Sequence, residues 1–450
     1  RNDETMSRRE QFNLIVQLSI PSILAQVTTV LMFYIDAGMV GSLGAGPSAA
    51  IGLVEPATWL FLSLVTAGTM GFSVQAAHFI GANDFPKARA VMRHGYAFGG
   101  LYSLFLLLVT FLIADHLPAW LGGGRDIQHE ASVYFLVFSL IIPFHLLEYT
   151  SAAMLKAAGD MAILMCLLDI LFNYFFIFPT RTILLLGTDM TMPGLGLGVA
   201  GAALGSLLAF VCVALPLTYY AIFRSPILAW KQDVERFTWH WHYIGNAVKI
   251  GAPMALQYLL MNGAQLVSTM IVAPLGNIAI AAHSFAITAE SLCYMPGYGI
   301  SEAATTLVGQ SVGAGRTDLH RRFAWMTVSL GMAVMAFMGL IMYVFAPEMI
   351  GLLSPVVSIQ HLGTAVLRIE AFAEPFFAAA IVAYSVCIGA GDTLKPSLIN
   401  LGSMWLIRLT TAYALASRYG LRGVWFAMAV ELTLRGLMFI FYLSRHLRKT

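Results

Sequence analysis

This chain spells much of itself twice. Ile20-Pro21 returns as Ala252-Pro253, Leu43-Gly44 as Leu275-Gly276, and Ala49-Ala50 as Ala281-Ala282. Gly81-Ala82 becomes Gly313-Ala314, Pro143 becomes Pro375, and Gly159-Asp160 becomes Gly391-Asp392. One offset of 232 residues (253 − 21) fits every pair. Further on the offset falls to 222 (420 − 198), with Gly198 and Gly201 matching Gly420 and Gly423, because the first half carries a longer loop near Thr180–Pro193. Self-similarity over such a distance marks a duplicated structural unit. The unit is built of apolar stretches, so the expected architecture is a membrane protein of two like lobes, as in transporters with parallel repeats.

Composition supports the membrane. Hydrophobic residues make up 59% of the 450 and charged residues 11%, with mean hydropathy +0.78. Soluble domains carry about 25% charged residues, so this chain lacks the polar surface to coat a globule. A net charge of +2 and the absence of long basic runs argue against nucleic acid. Cys166, Cys212, Cys293 and Cys387 lie far apart in apolar stretches, which indicates neither a zinc site nor a disulfide framework. The polar first ten residues contain no apolar signal core, and no removable secretory signal is expected.

A spanning helix needs about 20 mostly apolar residues. Twelve such stretches lie near 13–40, 48–78, 95–114, 130–155, 162–179, 194–223, 245–273, 279–311, 323–346, 359–387, 396–417 and 423–443. The fold class expected is all-α, with six spans in each of two pseudo-symmetric lobes. The domain division is an N-terminal lobe 1–223, a polar, aromatic-rich linker 224–243, and a C-terminal lobe 244–450. Most Lys and Arg outside the spans fall on one side, against Arg125, Arg181, Arg418 and Arg422 on the other. Both termini and the linker are therefore expected on the cytoplasmic side.

Charge inside a span costs about 2.5–3.5 kcal/mol on insertion scales. The candidates are Asp36, Glu55, Glu148, Asp169, Glu290, Glu302, Glu370, Glu374 and Glu431. Gln26, Thr29, Phe33 and Asp36 follow helical spacing and mark a partly polar stripe on the first span. Asp169 and Asn173 stand four apart on the fifth, on one face. The matching second-half positions are Ser268, Leu401 and Trp405. Duplication kept the scaffold but not this acidic set, which points to an ion-coupling site in the first lobe. Two carboxylates and an amide in a pocket of low dielectric suit a proton or Na⁺. Isolated hydrogen-bonded polar residues are the competing reading.

Glu290 is matched by Thr58, and Glu302 and Glu55 also lack acidic mates. Glu290 and Glu374 are candidates to line a substrate cavity, together with Gln26, Thr29 and Phe33. Arg368, Glu370 and Glu374 follow helical spacing, and Glu374 precedes Pro375, where a kink is expected. Glu431 and Arg435, four apart, with Arg408 one span earlier, suggest a structural ion-pair network. His78, His145 and His283 stand alone in separate spans, which suits helix–helix hydrogen bonds better than metal ligation. Gly196, Gly198 and Gly201 spell a dinucleotide fingerprint but follow no strand, so close helix packing explains them better.

The motifs LSIPSILAQ and FYIDAGMVGSLGAGPSAAIGL, with VAPLGNIAIAAHSFAI, LVGQSVGAGRTD, VCIGAGDTLKPSLIN and WLIRLTTAYAL, resemble the MATE (multidrug and toxic compound extrusion) family over nearly the whole chain. The likeness is closer to the prokaryotic DinF-like branch. It implies twelve spans, a central cavity with alternating access, and export of amphipathic organic cations in exchange for H⁺ or Na⁺. The family's first-span aspartate falls on Asp36, its fifth-span polar pair on Asp169 and Asn173, and a sixth-span hydroxyl near Ser206. A Na⁺ ion, where it is the coupling ion, would sit at Asp36, Asp169 and Asn173. The second-lobe Na⁺ site of the NorM-like branch needs a seventh-span glutamate and a tenth-span tyrosine and aspartate; those positions fall about Met261, Ala373 and Phe377 here, so a Na⁺ site of that kind is not expected, although Glu374 is adjacent.

The resulting expectation is a secondary active multidrug antiporter, a monomer of the bacterial or archaeal inner membrane. Its partners are small organic cations and membrane lipids, without nucleic acid, and it needs no cofactor beyond the coupling ion. A lipid-linked saccharide flippase of the same fold is the first alternative, for which Arg368 and Arg408 are the only hints of a basic cavity. A membrane-embedded transferase is the second, and it would require a catalytic His/Asp cluster or a large soluble loop.

Overall fold

The computed structural model describes the chain apart from residues 1–6, 42–44, 121–124, 156–157, 178, 186–187, 225–238, 354 and 450. Some side chains within helices, those of Thr29, Phe33, Asp36 and Glu55 among them, also lie outside the described set. The first half contains α1 (Arg8–Gly41), α2 (Ala45–Gly81), α3 (Phe85–Ile113), α4 (Leu117–Trp120), α5 (Arg125–Ser139), α6 (Ile141–Leu155), α7 (Ala158–Ile177) and α8 (Val199–Tyr219). The second contains α9 (Trp241–Val272), α10 (Asn277–Gly313), α11 (Thr317–Leu353), α12 (Val357–Ala371), α13 (Glu374–Gly389), α14 (Leu394–Gly402), α15 (Leu409–Tyr419) and α16 (Leu421–Lys449). Setting aside the four-residue α4, and taking α5–α6, α12–α13 and α14–α15 each as one broken span, gives twelve among the described residues. Among the described residues, eight helices are long and apolar enough to cross a membrane, or nine with the bent pair α12–α13.

One stretch departs from helix. The expected loop near Thr180–Pro193 is an antiparallel hairpin, β1 (Pro179–Leu185) against β2 (Thr188–Leu195), in one register from Leu185↔Thr188 to Arg181↔Met192 and shifted by one residue at Pro179↔Leu195. Its β-branched Thr180, Thr182, Ile183, Thr188 and Thr191 favour extended backbone. The fold is otherwise helical, as expected.

Helix α3 shows how the protein meets lipid. On α3, Leu101, Leu104, Phe105, Leu108 and Leu112 are exposed, while Gly95, Gly99, Ser103 and Thr110 are buried. Large apolar side chains outside and small or polar ones at helix contacts are the pattern for packing in lipid. Gly99 serves this packing directly, since a Cβ there would press Leu146 at 3.0 Å.

The duplication is visible in backbone geometry. α2 and α10 are both 37 residues long and end on the same left-handed turn. Asn83 (φ 58°) fills it in the first half and Gly315 (φ 69°) in the second. Asp84 N donates to Phe79 O as Arg316 N donates to Ser311 O, the closing bond of a Schellman cap. Gly198 (φ 63°) and Gly420 (φ 65°) likewise lead into α8 and α16.

The chain divides into two compact units. The first holds the chain up to Val27, Ala77–Asp84 and Ile250 onward; the second holds Thr28–Ala76 and Phe85–Lys249. In the second unit, Val54, Phe61, Val65, Phe135, Phe138, Ile142 and Phe210 form the core. In the first, α13 is almost wholly buried among α10, α11 and α16, its Val382 and Val386 packed with Ile300, Val308 and Phe439. Within this unit the ends of α2 and α10 cross at backbone contact. A Cβ on Gly81 would meet Gln310 O at 1.9 Å, and one on Gly313 would meet His78 O at 1.7 Å.

Candidate functional site

Two buried polar sites stand out, one in each unit: a single carboxyl with its donors and a trio of carboxyls. In the second unit, Asp169 and Asn173 lie one turn apart on α7 and Ser206 faces them from α8. Ser206 Oγ donates to Asp169 Oδ1 at 2.9 Å, and Asn173 Nδ2 donates to Asp169 Oδ2 at 3.3 Å. All three are at most 1% exposed. Glycine makes the approach possible: a Cβ on Gly205 would meet Asn173 Oδ1 at 2.1 Å. The three residues that sequence matching put together are therefore together. The side chains of Asp36, Thr29 and Phe33 lie outside the described residues.

In the first unit, Glu290 of α10 meets Glu370 at the end of α12 and Glu374 at the start of α13. One oxygen from each lies within 4.8 Å of the others, and all three residues are buried. The chain bends by 57° between α12 and α13, at the residue pair before Glu374-Pro375, where the kink was expected. That bend brings the two glutamates from consecutive helices onto Glu290. Both oxygens of Glu370 and both of Glu374 are buried, and no donor from outside the trio reaches them. Ionised carboxylates accept but cannot donate, so they cannot satisfy one another. A proton, metal cation or organic cation can. Hard cations take oxygen ligands at roughly 2.3–2.6 Å, which spaces those oxygens no more than about 5 Å apart, and the trio fits that spacing.

Glu290 and Glu374, expected to line a cavity, are joined by Glu370, an intramembrane carboxyl with no cavity role expected from the sequence. The signal was present: Glu370 and Glu374 replace Phe138 and Ile142 of the first half, both core residues. Gln26 lies elsewhere in the first unit, its Nε2 donating to Glu302 Oε1 at 2.6 Å.

The remaining charges behave as structure. Glu431 takes Arg408 at 2.7 Å, Arg435 at 2.6 Å and the Ser403 hydroxyl at 2.6 Å, which is the ion-pair network read from the sequence. A π-helical turn over Ser403–Arg408 aims both of its ends at Glu431. Arg408 is also close enough to act electrostatically on Glu290 and Glu370. His78 Nε2 contacts Gly389 O at 2.8 Å, and Trp425 Nε1 donates to His283 Nδ1 at 3.0 Å, both links between helices. His145 instead meets Glu148 within its own helix at 3.5 Å.

The MatE family model matches residues 21–185 and again residues 253–414, two stretches that begin one repeat apart. The chain belongs to the MatE family. A probable multidrug resistance protein NorM of Thermotoga maritima is 26% identical over 96% of this MatE chain and 92% of its own. One of the same name from Pseudomonas aeruginosa is 28% identical over 93% of this chain and 86% of its own, and a multidrug resistance protein MdtK of Edwardsiella ictaluri is 25% identical over 94% and 93%. Among solved structures, the Vibrio cholerae MATE transporter VcmN in its bent form superposes with a TM-score of 0.85 at 18% identity, covering 98% of each chain. An outward-facing multidrug resistance MATE family transporter gives 0.85 at 20% identity, covering 98% of this chain and 96% of its own. These structures place this MatE chain in the twelve-span fold of that family.

Proposed function

We propose that this protein is a secondary active multidrug exporter. It exchanges amphipathic organic cations for H⁺ or Na⁺ by alternating access, in the inner membrane of a prokaryote, with both termini cytoplasmic. The observation that carries the reading is the trio Glu290, Glu370 and Glu374, buried carboxyls that lie against one another, with no donor from outside the trio on the oxygens of Glu370 and Glu374. An unsatisfied buried charge costs several kcal/mol, so the trio favours states in which a cation is present. If the inward ion and the cationic drug relieve the same negative charge, binding of one weakens the other, and exchange follows from linkage. Asp169, with Asn173 and Ser206, is the second coupling position and operates with Asp36 on α1. The relatives named as multidrug resistance proteins support the substrate class.

The driving force suffices. One pH unit supplies about 1.4 kcal/mol per proton, and 100 mV adds about 2.3 kcal/mol per charge. Together they sustain concentration ratios of a few hundred, at about 1.4 kcal/mol per tenfold.

The test is efflux of a fluorescent organic cation from proteoliposomes, driven separately by a pH gradient and by a Na⁺ gradient. Wild type, Asp36→Asn, Asp169→Asn and Glu374→Gln are compared. Transport under one gradient, lost in Glu374→Gln, is the expected result and identifies the ion. Wild-type rates in all three variants, at normal expression, overturn the mechanism.

A further inference from the structure

On the opposite side of α12 from the carboxyl trio lies an open groove. Tyr343 of α11, Arg368 and Phe372, and Phe426, Val430, Thr433 and Leu434 of α16 line it, around a volume of about 520 Å³. Arg368 and Glu370 are two residues apart, and at 100° per residue they point to nearly opposite faces of α12. Glu370 faces Glu290 inside the bundle; Arg368 faces out. The outer wall is apolar and exposed: Phe372 is 72% exposed and Phe426 54%. In a spanning bundle that surface meets acyl chains.

Arg368 is the anomaly in it. Its Nε donates to Tyr343 O at 3.2 Å and its guanidinium lies 5.2 Å from the Tyr343 ring centroid. No carboxylate lies within ion-pair distance of it among the described residues, whereas the other intramembrane arginines, Arg408 and Arg435, share Glu431. A guanidinium has five donors in a planar fork suited to phosphate, and most of these remain for a ligand. From Phe426 to Leu434 the α16 wall runs eight residues, or about 12 Å of helix axis at 1.5 Å per residue, long enough to carry part of an acyl chain.

We infer that this groove is a binding site for one anionic phospholipid of the surrounding bilayer, its phosphate on Arg368 and an acyl chain along Phe372, Phe426 and Leu434. Charge complementarity selects the occupant: a phosphate pairs with Arg368, and a net anionic headgroup brings no ammonium to compete with the guanidinium for it, as the choline of a zwitterionic lipid does. The lipid lies against the outer side of the α12–α13 bend, with the carboxyl trio on the inner side.

The protein is purified, exchanged into lipid-free detergent, loaded with equimolar phosphatidylglycerol and phosphatidylcholine, and read by native mass spectrometry. Wild type is expected to retain one phosphatidylglycerol in preference to phosphatidylcholine by about tenfold, the scale of a charge-assisted contact. Arg368→Gln reduces that preference to within about twofold, whereas Arg445→Gln, at the far end of α16, leaves it unchanged. Thr433→Phe fills the groove with the charge intact and expels the lipid, which keeps the test decisive if Arg368→Gln does not fold. Equal retention of both lipids by wild type overturns the assignment. So does undiminished phosphatidylglycerol retention by Arg368→Gln or by Thr433→Phe.

Discussion

At the scale of single residues, buried charge divides into satisfied and unsatisfied groups. Glu431 is satisfied: two guanidiniums and a hydroxyl converge on it. Glu431→Gln strands Arg408 and Arg435 in the interior, and removing one partner of a buried pair costs about 3–5 kcal/mol. The expected outcome is a large fall in thermal midpoint in detergent, or loss of monodisperse protein. Glu370 is unsatisfied, so Glu370→Gln is expected to raise the midpoint while lowering gradient-driven efflux at least about tenfold, a transition-state or coupling loss near 1.4 kcal/mol. A midpoint that falls instead would mean that the carboxyl holds the fold. The sequence made Glu431 legible because its partner stands one helical turn away at Arg435. It hid Glu370, whose partners are Glu290, 80 positions upstream (370 − 290), and a residue beyond a bend. Spacing rules reach across a turn of helix, not across a tertiary contact.

At the scale of elements, the break between α12 and α13 has a twin. α5 ends at Ser139 and α6 begins at Ile141, and Ser139 plus one repeat is Ala371, the last residue of α12. A proline follows at the matching position in each half, Pro143 and Pro375. The first-half pair passes as one span, while the second-half pair bends by 57° and carries carboxyls where the first carries Phe138 and Ile142. Pro375 lacks the N–H that a continuous helix would use. Pro375→Ala is expected to leave folding intact and to slow efflux several-fold; an unchanged rate would show that the bend is not used. Helix positions were legible because apolar runs of span length are unambiguous. The hairpin Pro179–Leu195 was not, since a short stretch of threonines beside proline and glycine reads as loop until its two strands pair.

At the scale of the whole molecule, the 232-residue offset made the architecture legible, down to matched left-handed turns at Asn83 and Gly315. What it could not supply is which positions from distant helices converge, because that depends on crossings such as the one between α2 and α10. There, Gly81→Ala and Gly313→Ala each drive a methyl into backbone, on Gln310 and His78 respectively. Each is expected to destabilise by about 1–3 kcal/mol, the cost of overpacking. The double variant is expected to fall short of the sum, since both act on one crossing; strict additivity, measured by thermal unfolding in detergent, would show the two contacts to be independent. The crossing has a further property. His78 and Gln310 are repeat mates, as are Gly81 and Gly313, and a Cβ on Gly309 would meet that of its own mate Ala77 at 2.9 Å. Residue i meets the copy of j, and j meets the copy of i. That is the signature of an isologous patch. At this point one chain meets itself as two like subunits would, each repeat offering the other the same surface.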